Sequence, residues 1–264
     1  KPPKFVTPNT QYLNIPSDIF MKPIQSLPIL VNTTPPTFDY NKIIKISTVQ
    51  QEESSINQII GSFPHGPLFI DCLNHRVRTY RPYCSLLLVM TPQYQVYVFD
   101  LLQIRSDLSH LFNLLMNENI QKIMYNAEEN LQILSESHNI YISPLIDLAL
   151  IEYPLNSSAK PPLFEDLIGL KLRKCIVDWR IRPLNEELLT IASQSVWYLP
   201  SLAYSIFQRN DNILDVLNDP DNSWYSENRR TNYPFKFTNE LAIAIAQEII
   251  DLDENPESLN EDDR

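Results

Sequence analysis

The sequence predicts an α/β domain built on a mixed β-sheet flanked by helices, and three observations predict it. Strand-like apolar runs follow one another at LFIDCL (68–73), CSLLLVM (84–90) and QVYVFD (95–100). The second and third are separated by the tight turn TPQY, which makes them an antiparallel pair. From residue 106 onward, helical and strand-like segments alternate, an order that lays helices onto a sheet.

Each element has its own signal. KIIKIS (42–47) reads as a short strand, and ESSINQII (53–60) as a helix capped by Ser54 or Ser55. In SDLSHLFNLLMN, Leu108, Leu111, Phe112 and Leu115 fall at i, i+3, i+4 and i+7, one face of a helix. KIMY (122–125) is a strand and NAEENLQILSES (126–137) a helix, with Asn126 and Glu129 spaced as a capping box. PLIDLAL (144–150) carries another strand-to-helix unit with Asp147 placed to cap the helix. LFEDLIGL (163–170) and residues 185–207 read as helices, the latter kinked or broken near Val196 to Leu199 by Pro200. Beyond residue 210, one further helix is expected, at TNELAIAIAQEII (238–250).

Composition narrows the function classes. The 264 residues, 44% of them apolar, suffice for a proper core. The longest purely apolar run, LLLVM at 86–90, falls far short of the ~20 residues of a membrane-spanning helix. A chain that opens on Lys1 is expected to be a fragment. With Gly61, Gly66 and Gly169 its only glycines, it can write neither a P-loop nor a G-x-G-x-x-G turn, so a nucleotide cofactor bound in either way is excluded. Cys72, Cys84 and Cys175 form no C-x-x-C pair and are expected to be buried thiols. None of His65, His75, His110 and His138 has the spacing of a metal motif.

The ends differ from the middle. Residues 1–40 hold eight prolines among scattered apolar residues, so 1–41 is expected to be an extended segment lying along this domain or a partner. Residues 248–264 carry eight acids and one base, −7 of the net −11, and 251–264 reads as a solvated acidic tail. Between them, 42–210 form the α/β domain and 211–250 an extension with one helix.

VDWRIRPLNEELL (177–189) resembles the D-W-x-x-R-P-L segment of the ribonuclease D group of DEDD exonucleases, and WRIRPL is most similar to the exosome-associated eukaryotic members. The resemblance covers about residues 60–210. It implies a ribonuclease H-like (DnaQ-like) exonuclease fold in which four acids and a tyrosine serve two Mg²⁺ or Mn²⁺ ions in 3′-to-5′ trimming of RNA. Two such ions stabilise the attacking and leaving oxygens, and their charge calls for several anionic ligands.

Carried over position by position, the family's D-x-E falls on Asp71, Cys72 and Leu73, its H/Y-G/N-A-x-x-D on residues 125–130 ending in Asn130, and its Y-x-x-x-D on Ile191 and Ser195. Three of four carboxylates and the tyrosine are replaced. The resemblance therefore implies a site with no resident metal, no cofactor and no working catalytic residue, with Asp71 left to cap locally or to hold one weak ion. Trp179, Arg180 and Arg182 keep the family pattern and are expected to be structural.

Two readings fit HRVRTYRPY (75–83). His75, Arg76, Arg78, Tyr80 and Arg81 have the composition of a single-strand RNA contact; alternatively, this is a solvated hairpin whose tyrosines pack on the sheet. The expectation is a catalytically inactive 3′-5′ exonuclease domain acting as a scaffold or RNA-binding module in an RNA-processing assembly. Its partners are then RNA-processing proteins of an exosome-like complex, with RNA as a further ligand, no membrane, and a nuclear or otherwise intracellular location. The alternative is an active exoribonuclease that recruits Glu128 or Glu129.

Overall fold

The computed structural model describes residues 24–30, 35–62, 67–76, 79–104, 108–155, 164–169, 178–209 and 211–218. Arg78, Cys175, the expected helix at 238–250 and the acidic tail lie outside the described residues.

Six strands form one mixed sheet. In chain order they are β1 (Ile43–Ile46), β2 (Leu68–His75), β3 (Tyr83–Met90), β4 (Val96–Asp100), β5 (Lys122–Met124) and β6 (Leu145–Asp147). Across the sheet the order is β1-β4-β3-β2-β5-β6. β3 runs antiparallel to both its neighbours, and the other pairings are parallel. The helices are α1 (Val49–Ser62), α2 (Ser109–Leu115), α3 (Glu128–His138), α4 (Leu148–Leu155), α5 (Phe164–Ile168), α6 (Glu186–Trp197), α7 (Leu199–Arg209) and α8 (Ile213–Asn218). No helix among the described residues is long and apolar enough to cross a membrane.

The strands read as continuous apolar runs because both faces of the sheet are covered. One face presents Phe69, Leu86, Leu88, Met90, Val96, Val98, Ile123 and Ile146 to Leu189, Ala192, Val196 and Leu202 of α6 and α7. The opposite face, with Ile70, Leu87, Val89, Tyr97 and Phe99 all buried, carries α3, while α1 packs beside the edge strand β1. Period-2 alternation therefore puts Asp71 and Leu73 on the α6 side and Cys72 on the α3 side.

α1 starts earlier than expected, and Ser54 and Ser55 sit inside it. Thr48 Oγ1 accepts from the Gln51 N–H (3.3 Å) while Gln51 Oε1 accepts from the Ser47 N–H (2.9 Å), a reciprocal cap that outcompetes the serines. The break at Pro200 does occur: α6 ends at Trp197, and Pro200 falls in the first turn of α7, where its missing N–H has no intrahelical acceptor to lose.

Lys122 is wholly buried at the start of β5, with Nζ donating to the carbonyls of Asn117 and Ser143 (2.7 Å each). Burial pushes its ammonium down to about 7.

The described part of the proline-rich segment lies along the domain. Ile24 is buried, and Leu27, Leu30 and Phe38 pack on the α6–α7 core. Asn218 of α8 clamps the Ile24 backbone, accepting from its N–H (2.7 Å) and donating to its carbonyl (3.0 Å). The short helix α8 was not among the expected elements.

Candidate functional site

Midway along β2 and just past the carboxyl end of β5, the kind of place where open α/β sheets hold their ligands, the structure gathers Asp71, Asn130 and Ser195. β2 supplies Asp71, the first turn of α3 supplies Asn130, and α6 crosses behind them with Ser195. The Cys72 N–H donates to Asp71 Oδ1 (2.8 Å), Asn130 Nδ2 lies 3.3 Å from the same oxygen, and Ser195 sits beside them with its hydroxyl donating to the Ala192 carbonyl (3.3 Å). Asp71 as a residue is half-buried, but its carboxyl is enclosed. Burial raises its pKa above the usual carboxylate value, against the lowering effect of its polar neighbours Ser195, Cys72 and Asn130. Leu73 and Ile191 are half-buried, and Leu73 joins the apolar core beside Asp71.

One residue of the cluster belongs to no family motif. The register of β2 against β3 shifts between Leu73 and Asn74, because Leu73 faces Leu86 while Asn74 faces Cys84. The extra residue there is Ser85 of β3, so alternation along β2 keeps Asn74 on the α3 side with Cys72, and Asn74 Nδ2 donates to Asn130 Oδ1 at 2.6 Å. No sequence signal pairs Asn74 with Asn130, 56 residues on, so Asn74 was not among the expected site residues.

Acids near the cluster are engaged elsewhere. The expected capping box of Asn126 and Glu129 does not form: Asn126 adopts a left-handed φ of 52°, and Ala127, the cap residue, has no side-chain oxygen to offer. Asp147 takes over from the neighbouring strand. Its carboxylate accepts from the N–H groups of Asn126 (2.8 Å) and Ala127 (2.8 Å) as well as from that of Ala149 (2.9 Å) in α4, the helix that follows it. Glu129 instead pairs with Arg76, Nη1 to Oε1 at 2.6 Å, on the exposed rim. Among the described residues, no group of three or more His, Cys, Asp or Glu side chains is placed to hold a metal ion.

The basic hairpin is corrected at one position. The His75 side chain is 1% exposed, with Nδ1 3.4 Å from Asp178 Oδ1 and its ring tilted against Tyr83 (5.4 Å), so it cannot meet RNA. It sits inside because it is the last residue of β2, folded under the 178–183 loop. Tyr80, at 75% exposure, and Arg81 do face solvent.

The WRIRPL segment is built into the fold. Asp178 and Arg180 pair with one another on the surface (2.7 Å). Arg182 forks onto the buried carboxylate of Asp100, Nε to Oδ2 and Nη2 to Oδ1 at 2.6 Å each, and its Nη1 donates to the carbonyls of Trp179 and Ile181 (2.8 Å each).

Comparison with known proteins agrees with this architecture. The chain is 26% identical over 190 residues to the exosome complex component 10 homolog of Drosophila melanogaster, covering 70% of this chain and 20% of that protein. It is 29% identical over 140 residues to ribonuclease D of Cronobacter turicensis, covering 51% and 37% respectively. It thus spans well under half the length of either relative. The solved catalytic core of RRP6 from Trypanosoma brucei superposes with a TM-score of 0.63 at 21% identity, covering 79% of this chain and 57% of that one. A family described as 3′-5′ exonuclease matches residues 44–209, which is more than half of the sequence, and the chain belongs to that 3′-5′ exonuclease family.

Proposed function

We propose that this domain is a catalytically inactive 3′-5′ exonuclease fold that serves as a scaffold in an RNA-processing assembly of the exosome type, within the cell. The observation that carries the reading is the donor set midway along β2: one carboxylate (Asp71), one amide (Asn130) and one hydroxyl (Ser195), with Leu73 and Ile191 contributing no polar atom. A pair of Mg²⁺ or Mn²⁺ ions needs several charged oxygens in near-octahedral array. These residues do not fit such a pair, and no cofactor is assigned here. Glu129, a candidate replacement ligand, is engaged with Arg76.

A scaffold role is favoured over an RNA-binding one by how the arginines are used. Arg76 is paired with Glu129 and Arg180 with Asp178, and His75 is interior. Of the described candidates in the 75–83 hairpin, Tyr80 and Arg81 are left to add an RNA contact.

The test is incubation of the full chain with end-labelled single-stranded RNA bearing a free 3′ end, in millimolar Mg²⁺ or Mn²⁺. We expect no trimming, and the same result for Asp71→Ala. Enzymes accelerate their reactions by ~10⁶-fold or more, so even a much weakened two-metal site would register. Metal-dependent trimming abolished by Asp71→Ala overturns the reading. In a gel shift on the same RNA, binding that is lost on Tyr80→Ala together with Arg81→Ala would make the domain an RNA-binding module.

A further inference from the structure

The groups around Asp71 form a chain in which each amide's orientation is dictated by its neighbour. Asn130 Oδ1 is occupied by Asn74 Nδ2 (2.6 Å), so Asn130 must turn its donor, Nδ2, toward Asp71 Oδ1 (3.3 Å). Reversing both amides would set Asn130 Oδ1 against the Asp71 carboxylate, two acceptors with no proton between them. The Cys72 N–H supplies a further donor to Asp71. Asn74 spends its donor on Asn130, and its buried Oδ1 takes no hydrogen bond from the protein.

We infer that Asn74 and Asn130 form a neutral lock on Asp71 that ties β2 to α3 without divalent cations, with Asn74 as the positioning residue that fixes the donor face of Asn130. This rests on the reading of the site as one that holds no metal pair. The physical reason is charge. An aspartate at position 130 would put a second carboxylate within about 3 Å of the first, tolerable only with a cation between them or with one of the pair protonated. An amide of the same shape converts that repulsion into a hydrogen bond, and the two elements stay joined.

The experiment is thermal unfolding of the full chain in EDTA, Mg²⁺ and Mn²⁺, with the trimming assay run on the same samples. The parent is expected to unfold at one temperature in all three. Asn130→Asp is expected to unfold at least about 2–4 °C lower than the parent in EDTA, the shift that loss of one such interaction produces in a domain of this size. For Asn74→Ala, the readout is the Asn130 side-chain amide in ¹H–¹⁵N spectra: its protons, protected from solvent exchange in the parent, are expected to exchange fast. A residue that merely packed would leave them protected.

Saturable stabilisation of the parent by Mg²⁺ or Mn²⁺ overturns the lock, and if Asn130→Asp fails to fold this measurement still decides. So does an Asn130→Asp chain as stable as the parent in EDTA, or an Asn130 amide indifferent to Asn74→Ala. Metal stabilisation without trimming overturns the lock alone and leaves the inactive reading standing; trimming overturns both.

Discussion

Arg182→Ala is expected to destabilise the domain by about 3–5 kcal/mol, because it strands a buried carboxylate. The Asp100 side chain is fully buried at the end of β4, and its two oxygens are held by the Arg182 fork, with Gln103 Nε2 (2.7 Å) as the one further side-chain donor among the described residues. The pair fastens the 178–184 loop across 82 residues of sequence to the row of the sheet where Asp100 faces Leu86, and Leu86 faces Leu73. In urea the midpoint should fall by more than about 1 M at an unchanged slope. Arg182→Lys keeps the charge but not the two parallel bonds, and should recover only part of the loss. The double change Asp100→Leu with Arg182→Met should cost far less than Arg182→Ala, since it removes the charge along with its partner. A loss below about 1 kcal/mol for Arg182→Ala would show that the carboxylate finds other donors, and the fork would then not be what holds the loop.

The same pair shows where the sequence is legible and where it is not. The strands could be read because burial on both faces makes them unbroken apolar runs, and the β3–β4 hairpin because TPQY leaves room for nothing but a tight turn. The helix break could be read because a proline acts on its own backbone. These are local effects. Arg182 was expected to be structural, but its acceptor Asp100 lies in another element, and no pattern within WRIRPL points there. Capping failed for the same reason. Asn126 and Glu129 have the right spacing, yet Asp147, some twenty residues on, reaches across from β6 and satisfies the N–H groups of Asn126 and Ala127 first. His75 looked like a surface residue among arginines because the sequence does not show that the 178–183 loop covers it. At the candidate site, Asp71, Asn130 and Ser195 could be placed together through the family motifs. Asn74 could not, because its acceptor Asn130 lies 56 residues away on α3, and only the packing of α3 on β2 brings the two amides together.

Trp197→Ala is expected to cost a further large amount, about 3–5 kcal/mol, and to free the amino-terminal segment from the domain as well. Trp197 is 1% exposed, the last residue of α6, and its ring is packed between Phe38 (4.8 Å) and Tyr94 (5.1 Å), both tilted at a little over 50°. Its Nε1 donates to the carbonyl of Pro36 at 3.0 Å. One side chain thus fills the core under α6 and bonds the extended chain that crosses over it, so truncation leaves a cavity, loses two aromatic contacts and orphans a carbonyl. Trp197→Phe separates these contributions: it keeps most of the filling and loses the hydrogen bond, for an expected cost of about 1 kcal/mol plus a smaller cavity term. Limited proteolysis provides the second readout. Cleavage within residues 35–39 should accelerate strongly in Trp197→Ala and modestly in Trp197→Phe, while sites in the sheet stay protected under native conditions. Equal protection of 35–39 in all three chains would mean that Phe38 and the Ile24–Asn218 clamp hold the segment without the indole, and the stability loss would then be a property of the core alone.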